Sequence, residues 1–239
     1  MTTRTPTRPQ TAEPAASKAA DSTRSKIVTA ALRAFATRGF EAVSLKEITT
    51  ASGANVAAIH YHFGSKEALI REVLQSVSDP VNRMRRELLD AAPPAPRRTL
   101  EHVVEALVAP PIRLSFDAMG DGRLVPRLIL QTRALPSEFT TATIFQQYDD
   151  TAVLFVQAMM DTEPGLGKEE AFWRYAFAIG AMHYIVTDSD AANHRLNRIS
   201  GGLCDTDNPD TIIQQLTAFV VAGMRARAPA KPGTVPFET

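Results

Sequence analysis

The residues from Ser44 to Leu69, SLKEITTASGANVAAIHYHFGSKEAL, carry more local instruction than any other part of the chain. Ser44 and Glu47 stand three apart, the spacing of a capping box: the hydroxyl takes the Glu47 amide and the carboxylate reaches back to the Ser44 amide. Leu45, Ile48, Thr49 and Ser52 then fall at i, i+3, i+4 and i+7, which predicts about two turns of helix. Gly53 ends that helix, because glycine enters the left-handed C-cap conformation without a Cβ penalty. Asn55 predicts the cap of a second helix, with Ile59 and Phe63 one turn apart on its inner face. Two short helices across a tight glycine turn make a helix-turn-helix.

On that second helix the outward face holds Ala57, Ala58 and Tyr61, flanked by His60. Two alanines let the backbone approach another surface, and the tyrosine and histidine supply polar tips. Such a helix suits the major groove of DNA, where small side chains permit approach and a few longer ones reach bases or phosphates. Gly64-Ser65-Lys66 follows at once and puts Lys66 in the first turn of the next helix. Free amides and a lysine at a helix N-terminus seat a phosphate. The residues marked for contact with double-stranded DNA are Ser44, Lys46, Asn55, Val56, Ala57, His60, Tyr61, His62 and Lys66. A plain helical hairpin with a buried tyrosine is the competing reading.

Three runs of this stretch resemble the DNA-binding segment of the TetR family of bacterial transcription regulators. They are Ser44-Leu45-Lys46-Glu47-Ile48, then Ser52-Gly53, then Ile59-His60-Tyr61-His62-Phe63-Gly64-Ser65-Lys66-Glu67-Ala68-Leu69. The resemblance implies an all-α, dimeric, operator-binding protein with a ligand-responsive helical second domain. The expected architecture is a three-helix head and a larger ligand-binding and dimerisation domain, about nine helices together. The expected boundaries are a disordered tail over 1–20, the head over 21–67, the body over 68–228 and a C-terminal tail over 229–239.

Charge agrees with a DNA-facing head only in its distribution. Lys plus Arg and Asp plus Glu number 26 each, but ten basic residues face six acidic ones through Gln75. The head is thus mildly basic and the rest acidic. The single cysteine, Cys204, excludes an internal disulfide framework and fits a reducing cytoplasm. The longest nearly uncharged apolar run, Tyr175 to Val186, falls short of the roughly 20 residues of a membrane span. No apolar secretory segment opens the chain.

Taken in order, residues up to about Ala20 are rich in Thr, Pro and Ala and predict disorder. A first helix is predicted from Asp21 or Ser22 to Arg38, with Arg24 and Lys26 near its start in reach of phosphate. A long helix is predicted from Lys66 to about Ala91, burying Leu69, Val73, Val77, Val81, Met84 and Leu88, with a kink or break at Pro80. The body reads as helix throughout, with a kink at Pro110-Pro111. Glu169 to Thr187 is apolar nearly all round and so needs cover on both faces. With the last helix, Pro209 to about Arg227, it predicts a four-helix dimer interface through Trp173, Phe177, Gly180, Tyr184, Leu216 and Phe219. Gly180 with Ala176 would allow close helix crossing; a monomeric bundle is the alternative.

The body also holds many large apolar side chains. Leu107, Phe116, Leu128, Phe145, Tyr148 and Phe177 are expected to line a cavity for a small apolar effector, with Arg127, Arg133, Tyr148 or His183 as polar anchors. Glu170-Ala171-Phe172-Trp173-Arg174, Gly180-Ala181 and Ala222-Gly223-Met224-Arg225-Ala226 resemble the fatty-acid-responsive, PsrA-like branch of the family. That resemblance implies a fatty acid or acyl thioester as effector. No catalytic, metal or cofactor constellation stands out. Asp149 and Asp150 are adjacent and diverge on a helix, His60 and His62 are i, i+2, and His183 and His194 have no partner spaced for zinc. The leading expectation is a repressor released from an inverted-repeat operator; a helical small-molecule carrier or enzyme, and a protein-interaction module, are the alternatives.

Overall fold

The computed structural model describes residues 14–94, 97–117, 121–134, 138–188 and 194–228. Ten helices and no strands occur among them: α1 Pro14–Arg38, α2 Leu45–Ser52, α3 Val56–Phe63, α4 Lys66–Ala91, α5 Leu100–Ser115, α6 Leu124–Ala134, α7 Glu138–Thr162, α8 Lys168–Asp188, α9 Arg195–Ile199 and α10 Pro209–Arg225. The chain divides into two compact units, Met1–Val73 and Leu74–Thr239, the boundary falling within α4.

The start of α1 corrects the expected tail. The helix begins at Pro14, seven residues ahead of Asp21. Proline is favoured at a first helical position, and Ala15, Ala16, Ala19 and Ala20 are strong helix formers. Residues 1–13 and 229–239, the rest of the two expected tails, lie outside the described residues.

In the first unit the core gathers Ile27, Ala31 and Phe35 of α1 with Phe40, Val43, Ile48, Ile59, Leu69 and Val73, all buried. Phe35 and Phe40 pack with ring centroids 5.3 Å apart across the turn at Gly39, whose φ of 86° ends α1. Helices α2 and α3 have eight residues each, too few to persist alone in water. Burial of a large apolar side chain contributes about 1.5–3 kcal/mol against a few tenths for propensity, so packing on α1 holds them.

The second unit is built around α5, which packs against α6, α7, α8 and α10. Val103, Val104, Leu107, Val108 and Ile112 are buried there. Pro110 and Pro111 lie inside α5, and α4 likewise runs on through Pro80, so neither site ends its helix. Each proline removes one amide donor, and a helix held by packing on either side of it can survive that loss. Arg225 ties the end of α10 to Glu163 at 2.7 Å and Glu101 at 2.9 Å.

The inner stripe of α4 differs from the expected one beyond Val81. Arg85 and Leu89 are buried, whereas Met84 is half-buried and Leu88 is exposed. A strict i, i+4 series from Val77 passes through 81, 85 and 89, and Arg85 interrupts its apolar pattern. No helix among the described residues is long and apolar enough to cross a membrane.

Candidate DNA-binding face and effector cavity

The head presents its second short helix as the local chemistry requires. Ser44 N–H and Oγ–H both donate to Glu47 Oε2, at 2.7 and 2.8 Å, and Ser44 Oγ accepts from Glu47 N–H at 3.3 Å. Arg38 adds a 2.7 Å bond to Glu47 Oε1. These donors, the Ser44 amide first, hold the Glu47 carboxyl down from 4.5 to about 2. Gly53 adopts φ 69° and closes α2 by donating to Thr49 O. Asn55 Oδ1 accepts from Ala58 N–H at 2.8 Å and starts α3. Ile59 is fully buried, which fixes the rotation of α3 about its axis.

That rotation decides what faces out. Tyr61 is 83% exposed, and Val56, Ala57 and His60 are exposed beside it, with His62 half-buried. Tyr61 and His62 meet edge to face at 5.0 Å. His60 Nδ1 lies 3.0 Å from Gly64 O, which orients its ring at the end of the helix. Lys66 opens α4, where Ser65 Oγ accepts from Ala68 N–H at 3.1 Å. Ser44 and Lys46 are exposed at the start of α2. All nine residues marked for DNA contact therefore lie in the capped helix pair or at the start of α4. Arg24, in α1, pairs with Glu72 at 2.7 Å and lies over the Phe63 ring at 5.6 Å.

The second unit contains a cavity of about 500 Å³. Its walls are largely apolar, from Val81, Val125, Ile129, Ile144, Ile179 and Val186, with Tyr148, Tyr175, His183 and Arg85 as polar groups. Of the six residues expected to line such a space, Tyr148 alone does so among those whose side chains are described. Leu107 and Leu128 are fully buried in packed core, and Phe116 packs against that core. Phe177 is 63% exposed and stacks on Trp173 at 5.9 Å. The side chains of Phe145 and Arg133 lie outside the described residues. His183 lines the cavity as expected, and its Nδ1 lies 2.9 Å from Ile179 O. Arg127 is exposed and forms no part of the lining.

Arg85 is the residue that sequence reasoning missed. It is 3% exposed and donates from Nε to Leu107 O at 2.8 Å. Its only advance signal is spacing, an arginine four residues after Val81 and four before Leu89.

Along α8, Trp173, Phe177, Gly180 and Tyr184 are exposed, the last two also lining the cavity, and Phe219 of α10 is 67% exposed. A Cβ at Gly180 would meet nothing within 4 Å, so the chain makes no close helix crossing there with itself. Leu216, expected on the same outward surface, is instead buried in the core of its own unit. Its position on α10 follows Ile212 and Ile213 by one turn, on the inner face.

Comparison with known proteins settles the family. Residues 27–73 match the model for bacterial regulatory proteins of the tetR family, and residues 105–223 match that of the tetracyclin repressor-like C-terminal domain. The chain belongs to the TetR family. TetR-family regulators are DNA-binding transcription factors and not enzymes. The chain is 38% identical over 76 residues to the transcriptional repressor NicS of Pseudomonas putida, a match spanning 31% of this chain and 36% of NicS. The transcriptional regulator UidR of Escherichia coli is 26% identical over 145 residues, 60% of this chain and 68% of UidR. Among solved structures, the fatty acid degradation regulator FadR from Bacillus halodurans superposes with a TM-score of 0.62 at 16% identity, over 84% of this chain and 99% of that one. A TetR-family regulator from Bordetella parapertussis gives 0.62 at 17%, over 87% and 98%. At those identities the likeness concerns the fold alone.

Proposed function

We propose that this TetR-family regulator binds an inverted-repeat operator as a homodimer, represses transcription there, and leaves the DNA when a hydrophobic small molecule occupies the cavity of its second unit. The observation that carries the DNA-binding part is the outward face of α3, where Tyr61 stands 83% exposed, with Ala57 and His60 exposed beside it, while Ile59 anchors the helix from behind. Small residues let the helix enter a major groove, and Tyr61, His60 and Lys66 then reach bases or phosphates. The effector part is supported by a largely apolar cavity of a volume usual for small-molecule sites. The resemblance to the fatty-acid-responsive branch directs the choice of effector to a fatty acid or acyl thioester.

Helix α4 carries both Lys66 and the cavity residues Val81 and Arg85, so one element links the two functions along the chain. An effector shifts DNA binding only by its differential affinity for two states, about 1–3 kcal/mol in typical couplings. The test is fluorescence anisotropy on a labelled duplex from upstream of the protein's own reading frame, at several salt concentrations and with long-chain fatty acids. Lys66→Ala is expected to weaken binding to all sequences and lower the salt slope by about one, the loss of one phosphate contact. Unchanged affinity in both Lys66→Ala and Tyr61→Phe contradicts the docking of α3.

A further inference from the structure

The guanidinium of Arg85 is a buried cation whose recorded partners are all neutral. Besides Nε to Leu107 O, one terminal nitrogen donates to Asn82 Oδ1 at 3.4 Å and the other approaches Met182 Sδ at 3.8 Å. Two of these three contacts are long, and a thioether is a weak acceptor. No aspartate or glutamate among the described residues pairs with it. Burial pushes the guanidinium below its ordinary range, with Tyr175 and Tyr148 opposing the shift. Arginine nonetheless stays charged in proteins.

An unpaired buried charge is costly, and a folded chain tolerates one chiefly where something else supplies the counter-charge. Arg85 also lines the apolar cavity. Its neighbours there are aliphatic walls and the side chains of Tyr148, Tyr175 and His183, hydrogen-bonding groups with no standing negative charge. We infer that the cavity takes an amphiphilic monocarboxylate, its ionised head against Arg85 and its apolar tail along Ile129, Ile144 and Ile179. A planar carboxylate matches the planar guanidinium fork and can offer short charge-assisted bonds in place of the two long contacts. This rests on the proposed apolar effector and narrows it: the free acid binds, while an acyl thioester, having no carboxylate at its acyl end, leaves Arg85 unpaired.

The experiment is isothermal titration calorimetry of the full chain with dodecanoate, methyl dodecanoate and dodecanol, all below their aggregation concentrations. Wild type is expected to bind the acid at least ~10-fold more tightly than the ester or alcohol, about 1.4 kcal/mol of discrimination. Arg85→Met is expected to lose that preference while still taking the alcohol. Arg85→Lys, which keeps the charge but not the fork, is expected to keep part of it. Equal binding of acid, ester and alcohol by wild type overturns the role of Arg85 but leaves the apolar effector standing. Binding of none of the three overturns both. The wild-type comparison needs no variant, so a poorly folding Arg85→Met leaves the inference testable.

Discussion

Glu47 is an exposed residue whose effect on stability has a defined pH window. Its carboxyl is held from 4.5 down to about 2 by the Ser44 amide, Arg38 and the Ser44 hydroxyl. A group whose pKa is lowered on folding contributes stability above its unfolded value and loses it as pH falls through the folded one. Glu47→Gln should therefore melt below wild type at pH 7, and the gap should narrow between about pH 4.5 and 2 as the wild-type carboxylate takes up its proton. A gap that persists unchanged at pH 2 contradicts the ion-paired capping box. Ser44, Glu47, Gly53 and Asn55 were all legible in the sequence because caps and left-handed glycines act through local spacing. Arg85 was not. A polar residue within an apolar stripe looks like solvent-facing surface until the packing of α5 and α8 around it is known.

At the scale of elements, the helices read well where termini are marked by caps or turn residues, as α2, α3 and α10 are. Pro80 and the Pro110-Pro111 pair lie inside α4 and α5 rather than ending them, because sequence shows the missing amide but not the packing that keeps the helix going. Apolar residues were assigned to cavity, core or partner face with less success. Leu107 and Leu128 are core, Phe177 is exposed, and Leu216 points inward, since composition cannot say which side of a helix another helix will cover. The face that remains uncovered on α8 is Trp173, Phe177 and Tyr184, a row at i, i+4 and i+11. Exposed aromatic rows of this kind mark interaction surfaces, and a second copy of the chain is the proposed occupant. Trp173→Glu combined with Phe177→Glu should shift the sedimentation of the protein from dimer to monomer at micromolar concentration without lowering its helix content. A wild-type monomer under those conditions contradicts this use of the face.

At the scale of the molecule, the two-part plan was legible: a head rich in local signals, then a helical body with no strand pattern. Its family followed from the same contiguous run, Ile59 to Leu69, that sets the geometry of α3 and the start of α4. The cavity was legible only as a surplus of large apolar residues; which of them line it depends on how five helices meet. The central claim is that α3, presented twice by a two-fold dimer, reads DNA sequence. The measurement that tests it most directly is selection of binding sites from a pool of random-sequence duplexes by the full chain, with Tyr61→Ala/Lys66→Ala carried in parallel. The account predicts enrichment of an inverted repeat with half-sites about 34–36 Å apart, or a near multiple, and no such enrichment by the variant. An unenriched pool with wild type, or the same motif recovered by the variant, contradicts it.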